Sequence, residues 1–160
     1  MNIEQNYMAG LLSLIDHLRR QLEQPNGPLD FVTPLGAQSQ LQDLPSIPGE
    51  GLYLAYLGDT VGNDDSTGSD QIMQQRFLLA LAVRNGDHDF LTRAGELMSA
   101  VLKAVSGFEP YDQQGDIVDI GPLHRESSPF ANDTNRRGHS IFYFLFYTHV
   151  AYSGYEPETL

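Results

Sequence analysis

The sequence predicts an α+β domain: a mostly antiparallel sheet of about four strands, with two main helices packed on one face. Three observations predict it. Apolar residues recur at helical spacing in 3–24 and again in 87–106. Residues 71–86 and 140–152 instead alternate with a period of two, as strands do. The elements also come in the order helix, strand, long strand, helix, strand, long strand, with no internal repeat. A chain of 160 residues fits one domain, 1–160, with a polar tail from about 153. At this length a chain buries roughly 70% of its unfolded surface, enough to hold without a disulfide or metal staple.

The first helix carries Met8, Leu11, Leu12, Leu14, Ile15, Leu18 and Leu22 as a stripe, with Glu4, Asp16, Arg19, Arg20 and Glu23 opposite. The run "QPNGP" (24–28) ends it, because proline and glycine cannot continue a helix cheaply. Residues 29–50 contain Pro34, Pro45 and Pro48 and read as an extended connection with a short strand near Phe31–Val32. "GLYLAYLGD" (51–59) is a strand rich in tyrosine and leucine, and "NDDSTGSD" (63–70) an exposed acidic loop. In 71–86 leucine and alanine favour a helix. The polar Gln74, Arg76 and Arg84 share one parity, however, and "RNGDHD" ends the run like a turn, so a long strand is expected. The second helix has Phe90, Leu91, Ala94, Leu97, Met98, Val101, Leu102 and Val105 on one face. Asp87 or Asp89 is placed to cap it and Gly107 to end it. A short strand over 116–126, a polar loop over 127–139 and a final strand over 140–152 complete the chain.

Charge and composition exclude several classes. The net charge is −12, from 21 acidic and 9 basic residues, and the basic pairs Arg19-Arg20 and Arg136-Arg137 are too small for phosphate-driven nucleic-acid binding. A surface of this sign repels DNA, which suits a passage through which DNA must slide. The absence of cysteine removes disulfides, thiol nucleophiles and cysteine zinc sites. The N-terminus lacks a secretory pattern, and the longest apolar run, 141–151, is too short to span a bilayer, so assembly in the cytoplasm and no membrane partner are expected.

Chemistry-bearing motifs are sparse. Asp87, His88 and Asp89 adjoin at a helix start and point apart, which reads as capping and dipole compensation before a metal site. "NDDSTGSD" begins with Asn63 and has Gln74 where a calcium loop needs its bidentate glutamate. Ser127 or Ser128, His139 and Asp133 could be drawn as a hydrolytic triad, but no nucleophile elbow, P-loop or dinucleotide fingerprint is present. The sequence therefore indicates no catalytic residues, no metal site and no cofactor. Architecture carries the signal instead. The final strand pairs Phe142, Phe144, Phe146 and Val150 on one face with Ile141, Tyr143, Leu145 and Tyr147 on the other. A second face that apolar is expected to meet another subunit.

Four elements in order resemble the tail-terminator (tail-completion) proteins of long-tailed bacteriophages. They are the helix "GLLSLIDHLRRQLE"; the strand "GLYLAYLGD" with its polar loop; the strand–helix unit "QQRFLLALAVRNGDHDFLTRAGELMSAVLKAVSGFEP", closing on Gly107-Phe108-Glu109-Pro110; and "SIFYFLFYTHVAY". The resemblance covers 3–152 and leaves 29–50 unexplained. It implies a structural virion protein rather than an enzyme, working at the head-proximal end of the tail. There a homohexameric ring would cap the tail tube, stop its polymerisation and offer a docking surface to a head-completion or neck protein, while DNA passes without specific binding. Another neck or connector component, a small hydrolase using His88 or His139, and a small-ligand binder are the alternatives. For a ring, the outward parity nominates Arg76, Arg84, Tyr143 and Tyr147 as the subunit interface, and Asp59, Asp64, Asp65 and Asp70 as an exposed or lumen-lining acidic loop.

Overall fold

A computed structural model describes residues 7–61, 70–86, 88–110, 117–136 and 138–153. Two helices, α1 (Ala9–Leu22) and α2 (Phe90–Val105), lie with seven strands: β1 (Phe31–Pro34), β2 (Gly51–Val61), β3 (Asp70–Arg84), β4 (Ile117–Ile120), β5 (His124–Glu126), β6 (Asp133–Arg136) and β7 (His139–Ser153). All seven join one sheet, ordered β1-β2-β3-β7-β4, with β5 and β6 also paired to β7. Strands β4, β5 and β6 lie end to end along β7, opposite 150–152, 145–147 and 139–141. They act as one interrupted strand. The sheet thus has five strand positions rather than about four. It is mixed, because β1 runs parallel to β2 while every other strand pairing is antiparallel.

The spine is the pairing of β3 with β7, fifteen residues each, in unbroken register from Asp70↔Ser153 to Arg84↔His139. Period-two alternation thus outweighs the helix preference of leucine and alanine in 71–86. One face carries Leu52, Leu54, Phe77, Leu79, Leu81, Val83, Phe144 and Phe146, buried beneath both helices. Those helices supply Leu14, Leu18, Ala94, Leu97, Val101 and Val105, the positions that helical spacing marks. Gly107 follows the last turn of α2 at φ 76°, a left-handed conformation that glycine adopts without a Cβ clash. Phe108 then stacks on His17 at 4.1 Å, tying the end of α2 to the body of α1.

Three expectations are corrected. The single strand over 116–126 divides into β4 and β5, because Leu123 turns in to the helix core, where its N–H donates to Phe108 O at 2.8 Å. The polar run 127–139 contains β6, paired to β7. Asp89 sits at the start of α2 but forms no side-chain cap, since its φ −90°, ψ 12° lies outside the extended geometry a capping side chain uses; Asp87 lies outside the described residues.

Residues 35–47 have a clear structural role. Leu41 and Ile47 are buried against Tyr53, Ala80, Ala82 and Ile141 on the second face of the sheet. A one-turn 3-10 helix, Gln38–Leu41, brings Leu41 there. The segment is held where it enters β2. Gly49 O lies 2.8 Å from His139 Nε2, and Glu50 N–H donates to Asp30 Oδ2 at 2.9 Å. Glu50 Oε2 accepts from Arg84 N–H at 3.0 Å and from Arg93 Nε at 2.9 Å. The half of the second face expected to meet another subunit through Ile141 and Ala80 is therefore closed by the chain itself.

Candidate assembly interface

The other half of the second face, from Ile72 to Leu78 on β3 and Leu145 to Ala151 on β7, has no segment of the chain laid across it among the described residues. Parity puts the nominated residues on this face. Arg76 and Tyr147 are directly opposed in the β3–β7 register. Strand β5 adds His124 and Glu126 to the same surface, opposite Tyr147 and Leu145. Arg76 Nε lies 3.0 Å from Glu126 Oε1, an ion pair spanning the intervening strand without the alignment of a hydrogen bond. The rings of Tyr147 and His124 are 5.3 Å apart, and His149 meets Tyr147 edge-on at 5.6 Å. Ile72 is 56% exposed at the end of this surface. The result is a flat patch of aromatic, imidazole and paired charged groups around a strand pair whose Leu78 and Leu145 are buried.

Tyr143 and Arg84 are placed differently. Tyr143 opposes Ala80, packs beside the covering segment, and has the Phe130 ring at 5.8 Å. It marks the boundary between the covered and uncovered halves. Arg84 is exposed at the far end of β3, on a shallow cleft of about 440 Å³ lined by Glu50, Asn85, Gly86, His88 and Arg93. The structure thus brings Arg76 and Tyr147 together, sets Tyr143 four pairs further along the β3–β7 ladder, and leaves Arg84 at the opposite end. Sequence reasoning missed His124, Glu126 and Ile72. For the first two the signal was alternation around Arg125, hidden by reading 116–126 as one strand.

Of the acidic residues, Asp59 and Asp70 belong to strands, at the end of β2 and the start of β3; Asp64 and Asp65 lie outside the described residues. A bulge decides where Asp59 points. Register slips between Tyr56 and Gly58, and Gly58 has φ 103°. The slip returns Asp59 to the helix face, where its carboxylate accepts from the Tyr7 hydroxyl at 2.5 Å and from Tyr56 at 3.2 Å. Burial first, then the Asp59 charge, push the Tyr56 phenol up to about 12; burial and the hydrogen bond to Asp59 raise Tyr7 as well. Gln75 Nε2 donates to Tyr7 O at 3.0 Å and completes the latch on the start of α1.

The described residues contain no cluster of three or more metal-ligating side chains. Two members of the drawn triad have contacts elsewhere in the fold. His139 is engaged with Gly49, and the Ser128 hydroxyl accepts from Phe130 N–H at 3.1 Å. No helix among the described residues is long and apolar enough to cross a membrane.

Comparison with known proteins agrees with this architecture. A family model described as phage tail terminator protein matches residues 8–122. No curated protein sequence matches the chain. Among solved structures, a chain of the virion of a native gene transfer agent particle is similar, with a TM-score of 0.53 at 12% identity, covering 91% of this chain and 99% of that one. That likeness is one of fold. The family match extends from α1 through β4, over most of the sheet described above. This chain belongs to the phage tail terminator family and is a structural component of the phage tail.

Proposed function

We propose that copies of this protein close into a six-fold ring that caps the head-proximal end of the tail tube. The ring halts addition of tube subunits and presents the surface on which a head-completion or neck protein docks. One observation carries this reading: in a chain of this family, the β3–β7 spine has its own cover over half of its second face and, among the described residues, none over the half bearing Arg76, Tyr147 and Ile72. Tyrosine suits such a boundary, because its ring buries apolar area while its hydroxyl stays satisfied at a wet rim. The net charge of −12 suits a passage for DNA, which is repelled and slides through without specific binding.

Electron microscopy of the purified protein tests the ring, with six-fold particles expected. Addition to polymerising tube subunits tests the cap. Tubes should stop lengthening, with protein found at one end. Tubes that grow unchanged would overturn the capping role, and binding to a portal instead of the tube end would move the protein to the neck.

A further inference from the structure

Helix α2 carries a second apolar stripe beside the one that enters the core. At about 3.6 residues per turn, Leu91, Gly95, Met98 and Leu102 fall along one flank of the helix, next to the buried line of Ala94, Leu97, Val101 and Val105. Leu91, which helical spacing assigns to the core face, is instead 82% exposed. Met98 and Leu102 are only partly buried. Gly95 has no role within the described chain. It sits in the middle of a helix, where glycine is among the poorest formers. A Cβ built at this position would meet nothing within 4 Å. Neither backbone conformation nor internal packing calls for glycine there, and what glycine does allow is the close approach of another backbone.

The fold settles which way this flank looks. Helix α1 is tied to β1: Arg19 Nε donates to Val32 O at 3.1 Å, and Glu23 Oε2 accepts from Val32 N–H at 2.8 Å. It meets α2 on the opposite flank, where His17 Nε2 lies 2.9 Å from Ala104 O. The stripe therefore faces away from α1, toward the β5/β6 edge. Both ends of α2 agree with this. Phe90 stacks on Phe142 of β7 at 6.4 Å, and Phe108 O accepts from the N–H of Leu123, just before β5.

That edge is open, because the outer side of β5 has no neighbouring strand among the described residues. An open strand edge is a template for another chain. A cavity of about 220 Å³ crosses it, with Glu126 and Tyr143 from the second face and Arg125 and Phe144 from the helix face in its walls. Arg125 is exposed, its guanidinium 5.3 Å from the centre of the Phe144 ring. The patch around Tyr147 thus continues through His124 and Glu126, over the β5 edge, to the α2 stripe.

We infer that a second copy of this chain clasps the β5 edge. It covers the Tyr147 patch on one face of the sheet and seats a stretch of backbone against Gly95, between Leu91 and Met98, on the other. Continuity with the Tyr147 patch makes a second copy the occupant. A different part of the neighbour supplies the mating surface, as a contact that repeats around a ring requires. The inference rests on the ring reading above and extends its interface to a second face.

Two variants of the full chain test it, Gly95→Leu and Leu91→Ser. Each should fold, by circular dichroism, and each should need at least tenfold more protein than wild type for half-assembly into rings by mass photometry. Gly95→Leu should at the same time melt no lower than wild type as a monomer, because leucine favours a helix and the site is open. Glu96→Leu, which places the same side chain on the exposed face away from the stripe, should assemble like wild type. Wild-type rings with both stripe variants assembling at the wild-type concentration would overturn the inference and leave the ring reading standing. So would variants that form normal rings but no longer stop tube growth, since the stripe would then meet the tube. A wild type that stays monomeric would overturn the ring reading and this inference with it. Should Gly95→Leu unfold, Gly95→Ala adds a single methyl group. It should raise the melting temperature of the monomer and still weaken assembly, and an unchanged half-assembly concentration would overturn the inference.

Discussion

The two faces of the sheet are built from the same two strands and are closed in different ways. On the first face, Phe77, Leu79, Phe144 and Phe146 lie beneath two amphipathic helices. On the second, Tyr53, Ala80, Ala82 and Ile141 lie beneath an irregular segment anchored by a one-turn helix and the Glu50 junction. The difference lies in residue size and in the cover. Large side chains fill the depth between a sheet and a helix layer. Alanines at Ala80 and Ala82 let a loop approach closely. A loop covers less area, and it ends where β3 and β7 continue, so among the described residues the second face is left open at one end.

Mutation can break the comparison, beginning with the largest effect. Phe144→Ala should cost about 3–5 kcal/mol in denaturant unfolding, since the ring is 3% exposed and its loss leaves a cavity under the helices. A loss below about 1 kcal/mol would mean that this face does not carry the core. Leu41→Ala should cost less, about 2–3 kcal/mol, because a loop collapses into a void more readily than a helix layer does. Hydrogen exchange should then rise in 35–47 while α1 and α2 stay protected. Glu50→Ala should cost about 1–2 kcal/mol, because it removes the acceptor shared by Arg84 N–H and Arg93. Its signature is loosening at the start of β2 with the helix core intact.

At the open end the readout is assembly. Tyr143→Ser with Tyr147→Ser should leave the monomer folded by circular dichroism and raise the half-assembly concentration at least tenfold, which corresponds to about 1.4 kcal/mol. Rings at the wild-type concentration would make Tyr147 an internal residue and place the interface elsewhere. The smallest effect concerns the latch on α1. Tyr7 and Tyr56 have phenol pKa values raised above the unfolded value of 10.0, so their neutral forms favour the folded state. That stability is complete below pH 10 and is lost as pH rises toward about 12, where Tyr56 titrates in the folded protein. The advantage of wild type over Tyr7→Phe in thermal melts should therefore hold at pH 8 and shrink as pH rises above 10. A constant difference would show that the hydroxyl is not coupled to folding.

Much of this could be read along the chain because it depends on local periodicity. Parity sorted Phe144 and Phe146 from Tyr143 and Tyr147, and Arg76 from Phe77, before any pairing was known. The candidate site was half legible for the same reason. Parity named Arg76 and Tyr147 but could not find Glu126, which meets Arg76 only because β5 docks beside β7. Nor could it separate Tyr143, near the covering segment, from Tyr147 beyond it.

The sequence by itself determined the two helix stripes, the two long strands, the acidic balance and the turn at Gly107, all of which follow from neighbours within a few residues. Tertiary structure decided the rest. Leu41 and Ile47 sit in a proline-punctuated stretch without period, and only its docking shows that they close a sheet face. Three short strands become one edge because β7 is long enough to template them all. Asp59 belongs to the helix face because one bulged residue at Leu57 reverses the parity of all that follows in β2. Each is a matter of which distant backbone lies alongside, and hydrogen-bond register between strands far apart in the chain leaves no period in either one.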